Sequence, residues 1–185
     1  MIDLVAALSA VVAVHEESEI EYILVGSTAA ATCGVARTTQ DVDLVAMLSA
    51  DQIERLLTRL TDDELYVPVA EARRSAAGGS FNILHPTSGG KVDIFVPTPG
   101  DEFTASRMTR RIRADVFGIA TWVATPEDVV VAKLAWRHES RSEVQWRDCV
   151  EIVASNDLDR EYMVHWAAVL DVVDDLEDLF AIPSN

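Results

Sequence analysis

Aspartates interrupt two apolar segments of the sequence that are otherwise typical of buried strands. One segment contains Asp41 and Asp43 in "DVDLVA", and the other contains Asp93 in "KVDIFV". Successive side chains of a strand point to opposite faces, so Asp41 and Asp43 share one face while their apolar neighbours pack on the other. Because an ionised carboxylate is costly to bury unless it is paired or metal-bound, these positions predict a functional site.

Three such carboxylates brought side by side would form an oxygen-rich site suited to Mg²⁺, with Mn²⁺ as a substitute. Two Mg²⁺ ions bridged by them would activate a hydroxyl and stabilise a leaving phosphate in phosphoryl transfer. We therefore predict Asp41, Asp43 and Asp93 as catalytic, metal-binding residues. The alternatives are a strand-edge or turn feature for the first two and a solvated hairpin-edge position for Asp93.

The dipeptide Gly26-Ser27 ends an apolar segment and begins a stretch of small residues. A strand that ends in this way at a helix N-terminus exposes backbone N–H groups, a hydroxyl and the favourable end of the helix dipole. Glycine lets a phosphate approach the backbone closely. We predict that Gly26 and Ser27 bind nucleotide phosphates, and that Ser27 also caps a short helix over residues 27–32.

The pattern of apolar and turn residues predicts an α/β (α+β) fold in which helices flank a mixed sheet. The chain has 185 residues, which suits a single domain. We expect a core over residues 1–125, including an N-terminal helix, with a helical segment over 126–185 packed on it. The predicted helices cover 2–18, 27–32 and 49–60 and then, from Pro126, most of the chain to about 180; the predicted strands lie at 21–25, 42–47, 80–84, 91–97 and 116–124.

Charge and cysteine usage limit the classes of partner and compartment. The net charge of −16 argues against a general nucleic-acid-coating role. The acidic segment after residue 156 predicts either a solvated helical face or a surface for a protein partner. The apolar N-terminal segment is too short to span a membrane and predicts a buried helix. Cys33 and Cys149 lack metal-ligand spacing, which favours a reducing, cytoplasmic location.

The chain resembles the nucleotidyltransferase superfamily with the DNA polymerase β-like fold. The resemblance lies in "VGS" at 25–27, "DVDL" at 41–44 and "VDIF" at 92–95. The segment at 125–153 resembles the helical part of a small prokaryotic branch that includes abortive-infection and toxin–antitoxin proteins and minimal nucleotidyltransferases. The resemblance implies Mg²⁺-dependent transfer of a nucleoside monophosphate from an NTP such as ATP to a hydroxyl acceptor, which is a small molecule, a protein or a tRNA, with release of pyrophosphate.

The resemblance also suggests roles for two basic residues. Lys133 lies four residues before Arg137, so both belong to one helix face. Lys133 is implied to contact phosphate, whereas a solvated helix face suits Arg137 better. Arg37, in the loop before the paired aspartates, is a further candidate for contacting nucleotide phosphate.

Three other classes of protein compete with this interpretation. A phosphatase of the haloacid dehalogenase type needs an apolar strand that leads directly into its first aspartate, whereas Thr38, Thr39 and Gln40 precede Asp41. A sugar-nucleotide glycosyltransferase normally needs a longer chain. The third class is a non-catalytic, nucleotidyltransferase-like antitoxin or partner-binding module, with the acidic C-terminal helices as its interface. Three costly carboxylates favour catalysis over this last class.

Overall fold

The computed structural model describes residues 4–36, 39, 41–60 and 65–182. Within these residues the chain forms six strands in one mixed sheet and nine α-helices, which confirms the predicted α/β class. The helices are α1 (Leu4–Glu17), α2 (Gly26–Thr32), α3 (Ala50–Leu60), α4 (Val69–Arg74), α5 (Glu102–Arg110), α6 (Pro126–Ser140), α7 (Glu143–Ser155), α8 (Arg160–Val169) and α9 (Val173–Phe180). The strands are β1 (Tyr22–Val25), β2 (Val42–Ala46), β3 (Gly79–His85), β4 (Gly90–Val96), β5 (Ile112–Val116) and β6 (Ile119–Val123).

The sheet has the strand order β3-β4-β2-β1-β6-β5. Two hairpins, β3–β4 and β5–β6, form its two sides, and β1 and β2 pair antiparallel at its centre. The central strands join the hairpins through parallel pairs, β2 with β4 and β1 with β6. The strands predicted at 80–84 and 91–97 therefore form a hairpin around "HPTSGG", and its second strand lies directly beside the strand that follows Asp41 and contains Asp43.

Local capping explains where several helices begin. Ser49 and Gln52 form a capping box at the start of α3, in which each side chain accepts a hydrogen bond from the other residue's backbone N–H, at 3.0 and 3.3 Å. Thr125 caps α6, whose first residue is Pro126. Helices α4 and α5 were not predicted. With only six residues, α4 is too short for a periodic pattern to emerge.

The predicted N-cap role of Ser27 is wrong. Helix α2 already begins at Gly26, and Val25, at the N-cap position, makes no side-chain cap bond. Ser27 therefore lies inside the first turn, and its hydroxyl bonds Thr39 instead of a backbone N–H of the helix.

One face of the central sheet is packed into the core and the opposite face carries the aspartates. Val42, Leu44, Val92 and Ile94 are fully buried, and α1 packs against β3 and β4. The residues that alternate with them on β4 are partly or fully exposed, as the two-residue period of a strand requires. At the other end of the fold, α6 packs against α2, α7 and α8. None of the helices in the described part of the chain has the length and apolar character needed to cross a bilayer.

Candidate active site

The register of the sheet brings the three predicted carboxylates together. Strands β2 and β4 run parallel, and Asp43 lies directly opposite Asp93. Asp41 is one residue before β2 begins, at the same end of the strand. Residues about 50 positions apart in the sequence therefore meet through a backbone pairing that neither segment determines alone.

Gly26 lies against this carboxylate cluster. Its φ is +64°, in the left-handed region that favours glycine. A Cβ atom at this position would lie 2.0 Å from Oδ2 of Asp43. No larger residue fits without displacing the carboxylate, so the absence of a side chain is what allows the first turn of α2 to approach Asp43.

Ser27 is linked to Asp41 through Thr39. The Oγ atom of Ser27 lies 2.8 Å from Oγ1 of Thr39. Thr39 Oγ1 in turn donates to the backbone carbonyl of Asp41 at 2.7 Å. This chain of hydroxyls connects the start of α2 to the residue that precedes β2.

The carboxyl group of Asp43 has a raised pKa. Burial, followed by the charges of Asp41 and Asp93, raises the pKa of Asp43 from 3.8 to about 6. Lys91 and Lys133 act in the opposite direction but do not compensate. A carboxylate in this state favours an additional positive charge nearby, which is the electrostatic property of a cation site.

Lys91 is a member of this cluster that the sequence interpretation did not identify. Its Nζ atom is 2.6 Å from Oδ2 of Asp93 and 3.5 Å from Oδ2 of Asp41. The hydrogen bond to Asp93 is the main cause of the raised pKa of Lys91. The signal was present in "KVD", because residues two apart on a strand share a face.

Lys133 lies on the other side of the same cleft, on α6. Its Nζ donates to Oε1 of Gln145 and Oδ2 of Asp148, both at 2.7 Å, and its side chain is only 6% exposed. Arg137 lies on the same face of α6, as the spacing predicts, and its guanidinium stacks on the ring of Trp146 in α7. The solvated position predicted for Arg137 is wrong, because its side chain is half-buried and also bonds Asp175 of α9.

A cleft of about 520 Å³ runs between the sheet, α2 and α6. Gly26, Ser27, Asp41, Asp43 and Lys133 are among the residues that line it. The lining also contains a mixture of apolar and polar side chains, including Phe95, Pro97, Asp101, Thr104, Arg107 and Trp136. Asp93 is not among the lining residues, and its carboxylate is bonded to Lys91. Arg37 lies outside the described residues.

The carboxylates suit a metal ion that takes part of its coordination shell from the substrate phosphates. Among the described residues, no three or more His, Cys, Asp or Glu side chains converge closely enough to enclose an ion. Mg²⁺, however, is usually held by one or two carboxylates together with substrate phosphates rather than by a closed protein cage. The oxygen donors of Asp41 and Asp43 and the raised pKa of Asp43 fit such an ion.

The sequence matches one protein family over almost its whole length. That family is described as "Nucleotidyltransferase of unknown function (DUF6036)", and the match covers residues 1–177. The chain belongs to this nucleotidyltransferase family. No functionally curated protein matches the sequence.

Solved structures share the fold of this nucleotidyltransferase at low sequence identity. ANT(2")-Ia, in complex with adenylyl-2"-tobramycin, has a TM-score of 0.62 at 14% identity, over 90% of this chain and 96% of the other. An antigenic nucleotidyltransferase-like protein from Paracoccidioides brasiliensis has a TM-score of 0.56 at 14% identity, over 94% and 91%. The lincosamide antibiotic adenylyltransferase LnuA, lincomycin-bound, has a TM-score of 0.54 at 12% identity, over 84% and 99%. At these identities the likeness establishes the fold.

Proposed function

We propose that this nucleotidyltransferase transfers a nucleoside monophosphate from an NTP to a hydroxyl group, with Mg²⁺ or Mn²⁺ as cofactor. The observation that carries the proposal is the register that sets Asp43 opposite Asp93, with Asp41 beside them and Gly26 in contact range of Asp43. The resident ion would be held by Asp41 and Asp43, where it would neutralise charge on the triphosphate and polarise the α-phosphate.

The NTP phosphates would lie in the part of the cleft lined by Gly26, Ser27 and Lys133. Gly26 lets the first turn of α2 lie against Asp43, so the phosphates and the ion would be close together, and Ser27 offers a hydroxyl. Lys133 supplies a positive charge that its partners on α7 hold at a fixed position. Groups held in place in advance stabilise the charge of the transition state without a cost of reorganisation.

Asp93 would act on the acceptor. In the reaction the acceptor oxygen forms a bond to the α-phosphorus, the bond from that phosphorus to the bridging oxygen breaks, and pyrophosphate leaves with the electron pair. The proton of the acceptor hydroxyl passes to the carboxylate of Asp93. The resemblance noted above assigns the third carboxylate of the superfamily to this position, and its place opposite Asp43 supports the role.

The part of the cleft that the NTP leaves free would hold the acceptor. Its lining of Phe95, Trp136, Asp101 and Arg107 combines apolar surface with a few charged groups, as small-molecule sites commonly do. ANT(2")-Ia with adenylyl-2"-tobramycin and lincomycin-bound LnuA have the same fold. We therefore propose a small molecule as the acceptor, ahead of a protein hydroxyl or a tRNA end.

Pyrophosphate release is the direct test. Purified protein is incubated with each α-labelled NTP, Mg²⁺ and a cell extract divided into small-molecule, protein and RNA fractions. We expect label to enter the small-molecule fraction and pyrophosphate to appear in equal amount. Asp93→Asn should lose turnover while it retains NTP binding, and Asp157→Asn, in an exposed loop, is the matched control. The non-catalytic antitoxin alternative requires no pyrophosphate from wild-type protein in any fraction.

A second pair of variants tests the phosphate-binding part of the cleft. Ser27→Ala should weaken NTP binding by about 1–3 kcal/mol if one hydrogen bond to a charged phosphate is lost. Thr39→Val is the matched control, because it removes the partner of Ser27 but keeps the Ser27 hydroxyl. Equal losses in both variants would assign the effect to the loop rather than to a phosphate contact.

A further inference from the structure

The sequence contains two lysines, and both lie at the candidate active site. Lys133 lines the cleft, whereas the proposed reaction assigns no role to Lys91. The Lys91 side chain is 35% exposed and reaches Asp93 and Asp41 from β4. It forms no ion pair with Asp43, and it is not among the residues that line the cleft.

The position of this ammonium group matters for the number of metal ions that the site can hold. A cation that bridges the facing carboxylate oxygens of Asp41 and Asp93, their Oδ2 atoms, would lie between them. Nζ of Lys91 is already bonded to one of these atoms and within 3.5 Å of the other. A divalent ion in the same place would lie next to a fixed positive charge, and the repulsion between them would be strong at this range.

The charges of the side chains in the cluster also favour a single divalent ion. Asp41, Asp43 and Asp93 together contribute three negative charges when all are ionised. Lys91 and one divalent ion contribute three positive charges. A single divalent ion therefore neutralises the cluster, and a second ion would have to displace Lys91 from both of its carboxylates.

We propose that Lys91 is a built-in cation that occupies the position between Asp41 and Asp93, so that the protein uses a single divalent ion, carried in with the NTP and held by Asp41 and Asp43. Lys91 is then a positioning residue, because it fixes the carboxylate of Asp93 on the acceptor's side of the reaction. This inference rests on the proposed function, since it concerns the same metal and the same nucleotide.

The test counts metal ions directly. Wild-type protein, Lys91→Met and Lys91→Arg are passed through gel filtration in buffer that contains Mn²⁺ and a non-hydrolysable ATP analogue. The Mn²⁺ and the analogue that elute with each protein are then measured. We expect one Mn²⁺ and one analogue per chain for wild type and for Lys91→Arg, which keeps the charge. We expect two Mn²⁺ and one analogue for Lys91→Met, because the space between the carboxylates becomes available.

Circular dichroism and thermal unfolding verify that each variant is folded, and Lys91→Gln replaces Lys91→Met if the latter is not. Two Mn²⁺ ions in the wild type, or one in both wild type and the uncharged variant, would overturn the role of Lys91 and leave the proposed reaction standing. Failure of wild type and all variants to retain Mn²⁺ with the analogue would overturn the proposed function, and the inference with it.

Discussion

Replacing Asp43 with asparagine should stabilise the metal-free protein at neutral pH. Asparagine has nearly the same shape as aspartate but carries no charge. In the wild type, burial and the charges of Asp41 and Asp93 oppose ionisation of this carboxyl group. Asparagine cannot ionise, so the Asp43→Asn variant avoids the cost of holding a charge at this position. Its free energy of unfolding should therefore rise.

The magnitude follows from the pKa of Asp43, which rises from 3.8 to about 6 in the folded protein. One pKa unit corresponds to about 1.4 kcal/mol, so the full shift would correspond to roughly 3 kcal/mol. Asp43 is only half-buried, and water screens part of this cost, so we expect roughly 1–2 kcal/mol. For a domain of this size, that gain raises Tm by about 2–8 °C.

The sign of the pH dependence distinguishes this cause from better packing. Because the folded state binds the Asp43 proton more tightly than the unfolded state, the contribution of Asp43 to wild-type stability falls as pH rises from about 4 to about 6. The cost is fully present above pH 6 and absent below pH 4. The advantage of Asp43→Asn should therefore be largest at pH 7.5 and should disappear near pH 4.

Urea unfolding in EDTA at several pH values between 4 and 7.5 measures this difference. Asp157→Asn, which removes a charge from an exposed loop, is the control and should show a small, nearly constant effect. An Asp43→Asn variant that is less stable than wild type at pH 7.5, or whose advantage is the same at pH 4.5 and pH 7.5, would refute the reasoning.

Three further predictions concern single residues. Gly26→Ala should destabilise the protein by about 1–3 kcal/mol more than Gly118→Ala in urea unfolding. Both glycines have positive φ, but of the two only Gly26 would bring a Cβ against another side chain, that of Asp43. Equal losses of stability in the two variants would exclude a clash with Asp43. Lys133→Met should cost about 3–5 kcal/mol in the same assay, since it removes the counter-charge of a buried carboxylate, whereas Lys133→Arg should cost less. Burial raises the pKa of the Cys33 thiol, and it raises that of Cys149 to about 12, so a thiol reagent should modify neither in folded protein at pH 8 and both after unfolding.

Local sequence patterns predicted the elements that carry the site. The alternation around Asp43 and Asp93 marks each strand, and the Gly26 turn marks the start of a helix, because these signals depend only on neighbouring residues. The pairing of β2 with β4 is not local. A site made of all three carboxylates requires these strands to be neighbours, and only the structure gives their register.

The partners of the two lysines could not be predicted from the sequence in the same way. The spacing of Lys133 and Arg137 indicates a shared helix face, but spacing does not say which neighbouring helix packs on that face. Packing against α7 turns Lys133 towards Asp148. Likewise, Lys91 and Asp93 share a strand face by spacing alone, whereas the contact of Lys91 with Asp41 requires the register of two strands.

The parallel pairing of β2 and β4 has a consequence for how the protein is made. About 45 residues, including α3, α4 and β3, leave the ribosome between the two strands that must pair. Contacts this distant in sequence form late, because a long loop must close before they can. Helix α6, with Lys133, emerges later still. A nascent or truncated chain that ends before β4 would hold Asp41 and Asp43 without Asp93 or Lys91, and so would lack the strand that completes the carboxylate cluster.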